Sequence, residues 1–224
     1  WTALGMKQPL IGLCEIAFVA IPTLALYIVI GLPAVSSSVT NPMMSLDTVL
    51  GWFYSIVVSV ILTGQTLDNW PWKLFGGGGK TALAATIGNA VLGTAIYFVM
   101  VPLAKLLVGS QASAELGNTI HQFPAQIGVC WAFWMIFWAN GFGNRFAPAV
   151  RAALTFVLAV GTFLLYYRFA AGHVLHEPAV ASGLAGNALG FVDWLVLWTL
   201  IYVVAFQSMG LRRLADDPEP ADAG

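Results

Sequence analysis

The sequence predicts an all-α, polytopic membrane bundle of about six transmembrane helices, and three observations predict it. The 224 residues are 59% hydrophobic and only 8% charged, with a net charge of −1. Soluble domains carry roughly a quarter charged residues, so a soluble fold of this composition could not cover its surface with polar groups. Apolar stretches recur at 9–33, 47–66, 82–108, 124–142, 149–170 and 188–209. Each is near the ~20 residues that cross a hydrocarbon layer of ~30 Å as a helix. Finally, seven of the nine basic residues fall at the termini or in alternate gaps: Lys7, Lys73, Lys80, Arg145, Arg151, Arg212 and Arg213. Only Lys105 and Arg168 fall in the other gaps. That asymmetry is the positive-inside pattern of a multi-pass protein of a bacterial-type inner (plasma) membrane, with both termini cytoplasmic.

In chain order, the first stretch contains Pro22 and the third Pro102. Bilayer helices tolerate proline, with a kink. Pro124 suits the first position of the fourth helix. The gaps expected outside are long and polar, around Ser36 to Pro42, Gly109 to Phe123, and Ala171 to Asn187. No charged leader with a cleavage site precedes the first stretch, so no signal peptide is expected. Residues 1–213 form the transmembrane domain in this reading. Residues 214–224, with Asp216, Asp217, Glu219 and Asp222 among prolines and alanines, form a disordered acidic cytoplasmic tail. Tyr27, Tyr97 and Tyr167 recur every 70 residues, which suggests three weakly repeated helical hairpins.

Several motifs resolve into bland readings. Gly76 to Thr81 lacks the glycine and the preceding strand of a phosphate-binding loop and reads as a turn. Cys14 and Cys130 are too few for a disulfide framework and lie near opposite membrane faces. No protease, hydrolase, voltage-sensor or potassium-filter motif is present.

Other residues point to chemistry. Ionisable groups within a bilayer are costly, so Glu15 and Asp193 are candidates for a coupling role. Gln65, Asn89 and Asn140 are candidates to line a solute pathway. Asn89 with Gly93, and Ala84 with Gly88, also have the small-xxx-small spacing of close helix packing. His121, His173 and His176, with Glu177, all fall on the external side, and converged imidazoles and a carboxylate bind zinc or copper. Trp131, Trp134 and Trp138 form one stripe at i, i+3 and i+7, suited to aromatic packing, a cofactor, or a homo- or hetero-oligomer contact. The lipid bilayer is the expected partner, and nucleic acid is not.

Three functions compete on the sequence alone. A transporter or channel for a small solute comes first, because nothing catalytic is apparent. A non-catalytic membrane subunit of a larger complex is the alternative. An enzyme with an external histidine-based metal site is the third.

Overall fold

The computed structural model describes Lys7 and residues 9–36, 38–77, 79–141 and 146–176, with Leu197 and Ile201. Apart from Leu197 and Ile201 the sixth expected span lies outside these residues, as do the tail, Asp193, Glu177, Arg145, Arg212 and Arg213. So do the side chains of Glu15 and Asn140. The described residues are 86% helical and contain no strand.

Helix α1 (10–35) is α-helical over Leu10–Leu26 and Leu32–Val35, with a π-helical stretch at Tyr27–Gly31 between them. Helix α2 (Leu46–Thr66) starts at Ser45, whose hydroxyl accepts the Thr48 amide hydrogen at 3.3 Å. Serine is a preferred residue there because it satisfies an orphan amide of the first turn. The helix stops at Asp68 and Asn69, both with left-handed φ, a conformation these two residue types tolerate. Helix α3 (Gly79–Val108) runs through Pro102. Gly109 and Gly117, both at positive φ, bracket a short helix α4 (Ser110–Leu116), and a 3₁₀ segment (Gly117–Gln122) leads into α5 (Phe123–Gly141). Helix α6 (Pro148–Leu175) closes the described chain.

Helices thus occupy the first five predicted spans. Among the described residues, α2, α3 and α6 are long and apolar enough to cross a membrane. Two boundaries differ from expectation. The gap from Gly109 to Phe123 is helical rather than a loop, because glycines punctuate it only at its two breaks. Helix α6 continues to Leu175 through a π-helical stretch (Tyr166–Leu175), so His173 is helical. His176 is the left-handed residue that ends it, so His173 and His176 do not share a helical face. The three recurrent tyrosines also differ in setting: Tyr27 is half exposed, whereas Tyr97 is buried in α3.

The helices form two antiparallel hairpins, α2–α3 and α5–α6, joined mainly along α2 and α5. Asp47 meets Gln122, and Val58 packs over Gly128, so α2 and α5 run parallel. Trp131 meets Thr155 and Phe123 meets Phe163, which sets α6 antiparallel to α5. The bundle therefore has two ends. Lys73, Lys80 and Arg151 lie at one, the basic end. Asp47, Lys105, His121 and Arg168 lie at the other, the histidine end.

Met100, Ala104, Ile120, Phe123, Ile127 and Phe163 form the larger apolar core between α3, α5 and α6. Phe123 contacts Phe163 and Tyr167 edge-to-face at 5.3 and 5.4 Å. Such pairs are worth about 0.5–1.5 kcal/mol beyond their burial. The exterior is equally apolar: Phe53 and Val60 on α2, Leu83, Ile87 and Val91 on α3, and Val157 and Leu165 on α6 are exposed. Meanwhile Asp47, Ser55, Ser59, Thr63, Asn89, Arg151 and Thr155 are buried. Amphipathic helices of soluble proteins show the reverse distribution.

Candidate functional site

The buried polar residues are not scattered. Asp47, Gly51, Ser55, Ser59 and Thr63 follow one another at intervals of four, and Thr66 completes the line. Residues four apart share a helix face, so these six form one stripe along α2. At 1.5 Å per residue the stripe is about 30 Å long, the thickness of a hydrocarbon layer.

Close approach of α3 seals the middle of this stripe. A Cβ on Gly93 would fall on the Ile56 backbone, and one on Gly51 would fall on the His121 carbonyl. With no side chain at Gly93, the helices approach closely enough for the Ser59 hydroxyl to donate across to the Asn89 carbonyl at 2.8 Å. The Ser55 hydroxyl donates back to the Gly51 carbonyl. Small residues and interhelical hydrogen bonds hold helices together where burial of apolar surface supplies no net drive, as in lipid.

At the basic end, Asn89 Oδ1 accepts from the Thr63 hydroxyl at 2.9 Å and from Trp72 Nε1 at 3.2 Å. Gln65, Thr66, Trp138, Arg151 and Thr155 line a small cavity of about 10 Å³ nearby. Asn89 is not among its lining residues. The two described members of the expected pathway thus sit in separate places, Asn89 between α2 and α3 and Gln65 beside the cavity toward α5 and α6. Outside this cavity Asp68 pairs with Lys73 at 2.9 Å. The Lys73 hydrogen bond and charge, with a smaller contribution from Arg151, hold the Asp68 carboxyl below the usual carboxylate range.

At the histidine end, buried Asp47 accepts a hydrogen bond from Gln122 Nε2. Tyr97 Oη and His121 Nδ1 lie 2.7 Å apart. Burial lowers the His121 pKa from its ordinary 6.5; the Lys105 charge lowers it further and the Asp47 charge opposes. The imidazole is therefore neutral at pH 7, and its outer edge borders an open depression of about 890 Å³. Lys105, Ser110, Ser113, Asn118 and His121 supply its polar lining.

Among the described residues no three His, Cys, Asp or Glu side chains gather as a metal site. His121 is engaged with Tyr97, and His173 lies against Phe169 at a ring separation of 5.4 Å. The tryptophan stripe is committed within the chain. Trp131 Nε1 donates to Thr155 at 3.0 Å and Trp134 Nε1 to Thr162 at 2.9 Å, both on α6, while Trp138 contacts Phe146.

Three buried polar residues escaped the sequence reading, Asp47, Gln122 and Gln126, while Arg151 entered it only through its charge. Asp47 heads the four-residue ladder on α2, and that ladder is legible once α2 is read for polar rather than apolar periodicity. Gln126 is 1% exposed, and neither of its amide atoms has a hydrogen-bond partner. Nothing in its spacing announces that.

The chain matches no protein-family model, no curated protein and no solved structure.

Proposed function

We propose that this chain is a multi-pass protein of a bacterial-type inner membrane that moves a small polar solute along the α2–α3 seam. The basic end faces the cytoplasm in this reading, in keeping with the positive-inside bias. The observation that carries it is the placement of polar residues on α2, which buries Asp47, Ser55, Ser59, Thr63 and Thr66 beside apolar Val58 and Leu62 while it exposes Phe53 and Val60. A face of this kind, bordered by a polar cluster at each end, is what a solute needs to cross hydrocarbon. In the present arrangement Gly93 lets α3 close over it. Movement requires that the two helices part, and Gly93 makes that contact one of backbone on backbone rather than of interlocked side chains.

A second reading, a non-catalytic subunit of a larger complex, draws on α1. Its main contacts with the rest of the bundle lie near its C-terminal end, and Leu10, Leu13, Ile16, Ile21 and Leu24 are all exposed. An apolar helix so little covered suits lipid or a neighbouring protein.

Cysteine labelling in proteoliposomes separates the two. With Cys14 and Cys130 replaced, cysteines at Ser55, Ser59 and Thr63 are expected to react with a charged, membrane-impermeant thiol reagent, whereas cysteines at Phe53 and Val60 stay unreactive. Silent seam positions together with no flux of small polar solutes favour the subunit reading. Labelling of a Gly77→Cys variant from the outer side reverses the orientation.

A further inference from the structure

Helix α3 carries a lysine near each end, and the two set its depth in a bilayer. Lys80 and Lys105 are 25 positions apart (105 − 80), about 37 Å along a helix, a little more than the ~30 Å of a hydrocarbon layer. With both cations just outside the layer, Asn89 lies within it, nine positions beyond Lys80 (89 − 80), or about 13 Å. Trp72 reaches that depth from the turn between α2 and α3. Its Nε1 donates to Asn89 Oδ1 at 3.2 Å, and its ring fills the space that a Cβ on Gly88 would need. The 3₁₀ segment Trp72–Phe75 therefore lies back along the flank of α3. It does not stand off into the cytoplasm.

What this turn exposes is apolar. Trp70, Leu74 and Phe75 are 51%, 71% and 61% exposed, three large apolar side chains within six positions. A cluster of that kind marks a surface made to be covered. The charge beside it is positive. Between residues 67 and 80, Lys73 and Lys80 stand against Asp68 alone, a net of +1 (2 − 1). Asp68 is taken by Lys73 at 2.9 Å, and among the described residues Lys80 has no carboxylate in salt-bridge range. Segments that lie in a membrane interface combine these residue types, with aromatic and aliphatic groups at the acyl boundary and ammonium groups toward the phosphates.

From depth, exposure and charge together we propose that residues 70–75 anchor the basic end in the headgroup layer of an anionic leaflet, with Trp70, Leu74 and Phe75 at the acyl boundary and Lys80 among the phosphates. A leaflet carrying anionic lipid attracts cations held at its surface. Trp72 shares the Asn89 oxygen with Thr63, so a turn held by lipid also steadies that end of α2 against α3. The inference rests on the membrane placement of α3 and goes beyond movement along α2. Lipid contact at the turn without flux retains the anchor and removes the transport reading, whereas flux with the turn in water does the opposite.

The test uses the full chain with Cys14 and Cys130 replaced and one fluorescent thiol label, at Leu74→Cys or at Phe75→Cys, in nanodiscs. The discs mix phosphatidylcholine and phosphatidylglycerol, and one or the other lipid carries a nitroxide near the headgroup end of its acyl chain. Both labels are expected to be quenched by nitroxide lipid and shielded from aqueous iodide. Nitroxide phosphatidylglycerol should quench more than nitroxide phosphatidylcholine, and Lys80→Gln should remove that difference. Leu74, Phe75 and Lys80 are exposed, so these changes are expected to leave the melting temperature near wild type. Quenching by iodide with none by lipid overturns the proposal. Shielding from both also overturns it, because a second copy or another protein then covers the turn, and so does equal quenching by the two lipids.

Discussion

The Thr63 hydroxyl and the Asn89 side-chain oxygen lie 2.9 Å apart, linking the last turns of α2 to the first third of α3. Trp72 Nε1 shares the same oxygen, so one amide ties together two helices and the turn between them. Replacing Asn89 with Leu strands the Trp72 donor and removes the Thr63 acceptor. Interhelical hydrogen bonds in membrane proteins average about 0.6 kcal/mol and reach about 1.7. A loss of about 1–2 kcal/mol is expected in reversible denaturation in mixed micelles, and no loss would show that the network contributes nothing.

Gly93 and Gly161 provide a matched pair for helix contact. A Cβ on Gly93 meets the Ile56 backbone, which cannot rotate away, whereas one on Gly161 meets nothing within 4 Å. Gly93→Ala should destabilise by about 1–3 kcal/mol, as overpacking does. Gly161→Ala should be neutral or stabilise by up to ~1 kcal/mol, because alanine favours the helix. Equal effects at the two positions would mean that α2 and α3 are not in close contact.

Acid should loosen the histidine end. The fold favours neutral His121, so its pKa lies below the 6.5 of an unfolded imidazole. The associated stability is fully present above pH 6.5 and is lost as pH falls through the lowered value. Lys105 opposes protonation and Asp47 favours it, so Asp47→Asn should steepen the loss. A melting temperature that declines between pH 6.5 and 5 in wild type, and less so in His121→Gln, is the expected record.

Gln126 separates structural from functional use of a buried polar group. With both amide atoms buried and without partners, it lowers stability, and Gln126→Leu should raise it by about 1–3 kcal/mol. A variant that is more stable but has lost solute flux would mark Gln126 as retained for activity. A variant that is less stable would show that the amide is satisfied in the membrane.

Much of the architecture was legible because the bilayer constrains it tightly. Helix positions follow from apolar length, and α1, α2, α3, α5 and α6 begin within three residues of their predicted starts. Lys73, Lys80 and Arg151 lie at one end of the bundle and Lys105 and Arg168 at the other, as the alternation of gaps required. What stayed hidden was pairing. Hydropathy shows that Trp131 and Trp134 share a face, but not that Thr155 and Thr162 wait opposite on α6. It marks Asn89 as polar, but not that Thr63 and Trp72 occupy its oxygen. Asp47 was passed over because it stands at the edge of a span, where an acid is unremarkable. Only its partner Gln122, 75 positions away, shows that it is enclosed.

That separation of 75 positions also imposes an order of assembly. The α2–α3 contacts need only the turn at residues 67–78, so this hairpin can close while later residues are still being synthesised. Its counterpart Gln122 reaches the membrane only with α5. Until then the Asp47 carboxylate lacks the Gln122 amide donor that the 3₁₀ segment brings. Two hairpins made in succession are then joined along α2 and α5, and the Asp47–Gln122 contact forms at that late step.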